Sequence, residues 1–147
     1  MRIRCRTFMS KYITQDLYNL AFCLIPDDLQ ASQLVLDAFR AILLENNIAA
    51  EFYLSAKKTF SKSSKNSSEY KLLLKKIYQM AQIRISQISV NMNDGSVFYK
   101  LTLEERAILV LRHRFKMSLN NIAYITNMAK VETINRLFLA RTSVINF

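Results

Sequence analysis

Apolar residues along the chain recur at steps of three and four, the period of helices buried along one face. Between Met9 and Ile25, the residues Ile13, Leu17, Leu20, Ala21 and Leu24 share one side of a helix. Pro26-Asp27-Asp28 stops it, because proline brings no N–H to continue a helix and either aspartate can cap the next one. A second helix follows at once, with Leu34, Val35, Ala38, Phe39 and Ile42 on its inward face. So short a connection predicts two antiparallel, packed helices. A shorter apolar segment, Ile48–Ala56, predicts a third helix. Leu73, Leu74, Ile77, Ala81 and Ile88 predict a fourth over Glu69–Ile88. Between these two, Lys57–Ser68 is serine- and lysine-rich without a period and reads as a mobile loop.

The stretch Asn91-Met-Asn-Asp-Gly-Ser96 holds the only glycine and is the clearest break in the pattern. It places a domain boundary there: residues 1–90, a linker at 91–98, and residues 99–147. Beyond the linker, Thr102 followed by Glu105 is a capping-box pattern at a helix start. Ala107, Ile108, Val110 and Leu111 give that helix an apolar side. Ser118 opens a short helix carrying Leu119, Ile122, Ala123 and Ile125, in which the small Ala123 suits a steep crossing. Asn127 stands where a left-handed turn is needed, the conformation that asparagine tolerates best after glycine. A last helix over Ala129–Ser143 is expected to turn Val131, Ile134, Leu137 and Phe138 inward, and Glu132, Thr133 and Arg136 outward. A support helix, a short helix, a turn and a final helix form the order of a helix-turn-helix, whose last helix enters the DNA major groove. Lys130, Glu132, Thr133 and Arg136 are then the candidates for base and phosphate contacts.

Composition narrows the class. One glycine and one proline in 147 residues cannot supply the turns of an all-β fold, and 51% apolar residues argue against disorder, so the chain reads as all-α. No apolar run approaches a membrane span and no signal-peptide core follows the N-terminal arginines, so no membrane insertion is expected and the cytoplasm is the expected compartment. Cys5 and Cys23 have no metal-site spacing, and both are expected to stay reduced. No glycine-rich phosphate loop and no nucleophile–base pattern occurs. The single histidine, His113, falls at a helix end, and no enzyme, metal or cofactor is expected. The net charge of +10 is uneven: residues 1–54 are near neutral, whereas Lys57, Lys58, Lys62, Lys65, Lys71, Lys75, Lys76 and Arg84 face only Glu69 over residues 55–84. That distribution suggests a protein-binding third followed by surfaces facing a polyanion.

Both halves together resemble a small bacterial sigma factor of the extracytoplasmic-function group. Leu17-Tyr-Asn-Leu-Ala21 and Ala31-Ser-Gln-Leu-Val-Leu-Asp-Ala-Phe39 are similar to the start of region two. Leu103-Glu-Glu-Arg-Ala, Ser118-Leu-Asn-Asn-Ile-Ala and Arg136-Leu-Phe-Leu-Ala-Arg141 resemble region four. The resemblance implies two small helical domains that bind core RNA polymerase and promoter DNA. Gln33, Leu34, Leu36, Asp37 and Phe39 would then meet the clamp coiled coil of the β′ subunit, with the core as the alternative place for Leu34 and Phe39. Lys57, Lys58, Lys71, Lys75 and Lys76, with Tyr70 and Tyr78, would line the path of the opened minus-ten strand. The helix Ala129–Arg141 would read the minus-thirty-five element, and an anti-sigma factor is a further implied partner. The chain departs from the family in lacking tryptophan and in carrying Asn127, Ala129 and Val131 where glycine, proline and glycine are usual. Two functions therefore stay open: a transcription initiation factor, or an adaptor or decoy that keeps the protein contacts without promoter readout.

Overall fold

In the computed structural model, residues 11–46, 68–88 and 96–145 are described. The expected helix Ile48–Ala56, the loop that follows it (with Lys57 and Lys58) and most of the linker lie outside them. The described residues form six α-helices, with no strand among them.

Helix α1 (Lys11–Leu24) buries Leu17, Leu20, Ala21 and Leu24 completely, as their spacing predicts. Its run stops at Pro26, and the Asp27 carboxylate accepts the Gln30 N–H at 2.9 Å, opening α2 (Asp28–Asn46). Helix α2 buries the five predicted residues Leu34, Val35, Ala38, Phe39 and Ile42, and Ala31 with them. Helix α3 (Ser68–Gln87) lies against both and buries Leu73, Leu74, Ile77 and Ala81. Three helices packed pairwise make the first layer.

Past a short 3₁₀ turn, Phe98–Lys100, helix α4 (Leu103–Leu109) begins with the predicted capping box. Thr102 Oγ1 accepts the Glu105 N–H at 3.2 Å, and the Glu105 carboxylate accepts the Thr102 N–H at 3.3 Å. The chain then widens into a π turn, Val110–Arg114. Ser118 caps α5 (Leu119–Thr126) by accepting the Asn121 N–H at 3.2 Å. Asn127 is left-handed at φ 54°, ψ 43°. Around it Met128 N–H bonds to the Ala123 carbonyl and Asn127 N–H to the Tyr124 carbonyl, the paired pattern of a Schellman stop. Helix α6 (Lys130–Ile145) closes against α4 and α5. Together α4, α5 and α6 pack on one another, with three residues joining the last two.

Of the four residues that its sequence turns inward, helix α6 buries only Leu137. Val131, Ile134 and Phe138 stand out in solvent, while Thr133, Leu137 and Ala140 are buried. The helix has apolar residues on two sides, and the inner side is chosen by fit. The small Thr133 and Ala140 flank Leu137 and let α6 approach α4 closely, which the bulky outer residues would prevent. Burying Thr133 leaves no polar atom unsatisfied, because its hydroxyl donates to the Ala129 carbonyl at 3.0 Å.

The two halves share one buried cluster, from Leu17 of α1 to Leu137 of α6. Helix α1 packs on α4, and α3 packs on α5. Arg106 of α4 is 3% exposed and reaches across. Its guanidinium donates to the carbonyls of Cys23 at 3.0 Å, Leu24 at 2.8 Å and Leu101 at 2.8 Å. Two of these are orphan carbonyls at the C-terminal end of α1, so one buried cation satisfies them and meets the negative end of the helix dipole.

Candidate functional site

The expected polymerase-binding set divides between core and surface. Leu34 is fully buried and Phe39 is 4% exposed, so both belong to the packing of α2 on α1 and α3 and cannot touch a partner directly. Leu36 is exposed, Asp37 and Gln33 are half-buried. The Asp37 carboxylate is held from two sides: Arg84 of α3 donates to it at 2.6 Å and Gln33 at 3.1 Å. Arg40 lies 3.7 Å away, with its side chain largely in solvent. The outer face of α2 also carries Leu29 at 74% and Leu44 at 86% exposure. Leu29, Leu36, Arg40 and Leu44 fall at steps of seven, four and four, one stripe of the helix. That spacing is visible in the sequence, but the stronger inward stripe hid it.

The described lysines of α3 are partly spoken for inside the molecule. Lys76 Nζ pairs with the Glu45 carboxylate of α2 at 2.7 Å. Lys75 Nζ sits 4.3 Å from the centre of the Tyr124 ring of α5, within range of a cation–π contact. Lys71 is half-buried. Tyr70 and Tyr78 are each 1% exposed, so neither offers a face for base stacking. They were expected at the groove because aromatics suit single-stranded DNA, but large amphipathic rings fill a helix core equally well. Burial raises both phenols above their ordinary values, with Asp16 adding to it at Tyr70 and Glu104 at Tyr78.

On α6, Lys130 is exposed at the helix start. Arg136 and Glu132 stand 3.6 Å apart in an ion pair, both partly exposed. Arg136 lowers the pKa of the buried Tyr78 phenol and Glu132 raises it. Thr133 is fully buried, so it supports the helix and is unavailable to a base edge. The side facing solvent carries Val131, Ile134, Phe138 and Leu139 instead.

Near the C-terminal end of α6 a groove of about 370 Å³ opens between it and the π turn. Phe98, Leu109, Val110 and Val144 give it an apolar lining, with Arg114, His113 and Arg141 also on its wall. Arg141 Nε donates to His113 Nε2 at 3.1 Å, so the imidazole is neutral and carries its proton on Nδ1. Slight desolvation, then the charges of Arg141, Lys116 and Arg112, hold the His113 pKa below its ordinary value.

Sequence reasoning missed the role of Arg106, which was read only as part of a family-like stretch. A lone arginine inside an apolar helix segment, Ala107-Ile-Leu-Val-Leu following it, was the available signal. Cys23 is half-buried next to it, and burial pushes its thiol up against the opposing pull of Arg114 and Arg106. Among the described residues no group of His, Cys, Asp and Glu could hold a metal ion. No helix among them is long and apolar enough to cross a membrane. Compared with known proteins, the chain matches no protein-family model and no curated protein.

Proposed function

We propose that the chain is a sigma-like, non-enzymatic protein that binds core RNA polymerase through the outer face of α2 and acts as an adaptor or decoy, without promoter readout by α6. In this reading residues 1–90 are the polymerase-facing unit, 91–98 the linker and 99–147 a region-four-like unit, all working in the cytoplasm. The reading is supported by the α1–α2 hairpin followed by a capped helix-turn-helix, in the order the sequence resemblance implies. The observation that carries the choice of adaptor is the outer face of α6. A helix that reads base edges presents hydrogen-bonding and cationic side chains to the groove. Here Val131, Ile134, Phe138 and Leu139 make up most of that face, with Asn135 among them, and Arg136 is paired with Glu132.

The second reading, a promoter-directed initiation factor, is favoured by Lys130, exposed at the start of α6, and by the basic balance of the chain. One experiment separates the two. Purified core polymerase is incubated with the wild-type chain, with a Leu36→Ala, Asp37→Arg variant and with a Lys130→Ala variant, and the complexes are assayed for promoter opening. Retention by the wild type, loss in the α2 variant and no opening on a promoter library is the expected result. Opening that depends on Lys130 would replace the adaptor with the initiation factor. No retention of the wild type would end the sigma-like reading.

A further inference from the structure

Val131, Ile134, Phe138 and Leu139 are 70%, 43%, 68% and 54% exposed and lie along the solvent side of α6, with the exposed Asn135 among them. Large apolar side chains gathered in water and rimmed by charge mark docking surfaces. Toward the C-terminal end of the helix this strip meets the apolar groove floored by Leu109, Val110 and Val144. Arg141 stands between strip and groove, Arg114 faces it from the π turn, and Lys130 marks the other end. Among the described residues none of these three cations has a carboxylate at ion-pair distance; Glu132, the acidic residue of this helix, is engaged by Arg136.

We infer that the outer face of α6, with the groove at its C-terminal end, docks an acidic amphipathic helix of a partner protein. The inference rests on the protein-binding reading above and names the chemistry of one partner. A second helix laid along α6 meets the strip at the same three- and four-residue spacing, and Val131 to Val144 spans about 20 Å, enough for a helix of several turns. Acidic residues on the flanks of that helix would neutralise Lys130, Arg114 and Arg141. A second copy of this chain is a poor occupant. An antiparallel pair sets Lys130 against Arg141, a parallel pair sets like against like, and each chain already carries +10. DNA fits less well still, since its phosphates would strand the apolar strip against a polar surface.

Two synthetic helical peptides of equal length, with the same leucine strip and either glutamate or lysine flanks, test this against the full chain. A scrambled acidic peptide of the same composition controls for attraction to net charge alone. Binding is read by fluorescence anisotropy and located by amide chemical shifts. The acidic amphipathic peptide is expected to bind and to shift residues of the π turn and α6. The double variant Ile134→Ser, Phe138→Ser is expected to weaken it at least about tenfold, and Arg141→Gln to weaken it and flatten its salt dependence. Wild-type melting temperatures check that the variants fold, and Arg141→Gln carries the test if the double variant melts early. Equal binding of the scrambled peptide overturns the proposal, as does unchanged affinity in both variants. So does a shift pattern confined to α2, the same face shifted by duplex DNA, or a dimer in sedimentation that Phe138→Ser disperses. Polymerase retention through α2 is measured separately, so failure here and failure of the sigma-like reading remain distinguishable.

Discussion

Helices α2 and α6 are both amphipathic and both pack into the shared core, yet only α2 shows its inner side in the sequence. In α2 the five residues at helical spacing are large or β-branched, apart from Ala38, and they outweigh the exposed Leu29, Leu36 and Leu44 by continuity alone. In α6 the apolar residues are spread around the helix, and the bulkiest of them, Phe138, ends 68% exposed. What buries Thr133, Leu137 and Ala140 instead is the closeness of α4. Hydropathy assigns a face when one stripe dominates; when two compete, shape decides, and small residues win at a close crossing.

The sharpest test of that contrast removes the same side chain from each helix. Phe39→Ala, in the core, is expected to lower the unfolding free energy by about 3–5 kcal/mol. Phe138→Ala, in solvent, is expected to change it by no more than about 0.5 kcal/mol. Urea denaturation of both variants measures the difference. Comparable losses would mean that the outer side of α6 is covered in the free protein.

Next in size is the tie between the two layers. Arg106→Ala strips three carbonyls of their donor and is expected to cost about 2–4 kcal/mol. Arg106→Lys should recover only part of this, because an ammonium cannot reproduce the fork that spans Cys23, Leu24 and Leu101. Calorimetry adds a second readout: if the halves then melt in two transitions, Arg106 is what joins them into one cooperative unit.

A smaller effect is expected at the turn between α5 and α6. Asn127→Ala places a Cβ-bearing residue without asparagine's tolerance at φ 54° and should cost about 1 kcal/mol, whereas Asn127→Gly should be neutral or slightly stabilising. Thermal melts of the pair decide it, and equal losses would show that the asparagine side chain, and not its backbone, matters. Lys116 is left-handed too, at φ 56°, which no feature of its sequence announced.

The smallest expected effect is the pH response of the Arg141–His113 contact. The folded imidazole has a lowered pKa, so the unfolded chain binds the proton more readily. This contribution is therefore complete above the ordinary histidine value of about 6.5 and is lost as the pH falls below it. Melting temperatures between about pH 7 and pH 5 should fall slightly more in the wild type than in His113→Gln. Identical slopes would rule out His113 as the source.

The pattern of caps and stops was legible residue by residue. The Thr102–Glu105 box, the Ser118 cap, the left-handed Asn127 and the break at Pro26 are local chemistry, settled within four residues of each site. The candidate surfaces were less legible. Tyr70, Tyr78 and Thr133 were expected to meet DNA and are buried, and Leu34 and Phe39, inward by spacing but partner-facing by resemblance, are buried as their spacing has it. Each can serve core or surface equally well by type, and only its neighbours choose. Gln33, Leu36, Asp37, Lys130, Glu132 and Arg136 keep some exposure, but Asp37 and Arg136 already hold intramolecular partners.

The sequence by itself determined that the described residues are helical, where Pro26, Thr102, Ser118 and Asn127 start or stop a helix, and which side of α1, α2 and α3 is buried. Backbone chemistry and a dominant apolar stripe act over one or two turns, so they are written in neighbouring residues. The tertiary structure alone decided that the two halves share a core, that Arg106 caps α1 from more than eighty residues away, and that α6 faces water with the bulkier of its two apolar sides. Those outcomes depend on which surfaces fit at close range, and fit is a property of two elements together that neither one's sequence contains.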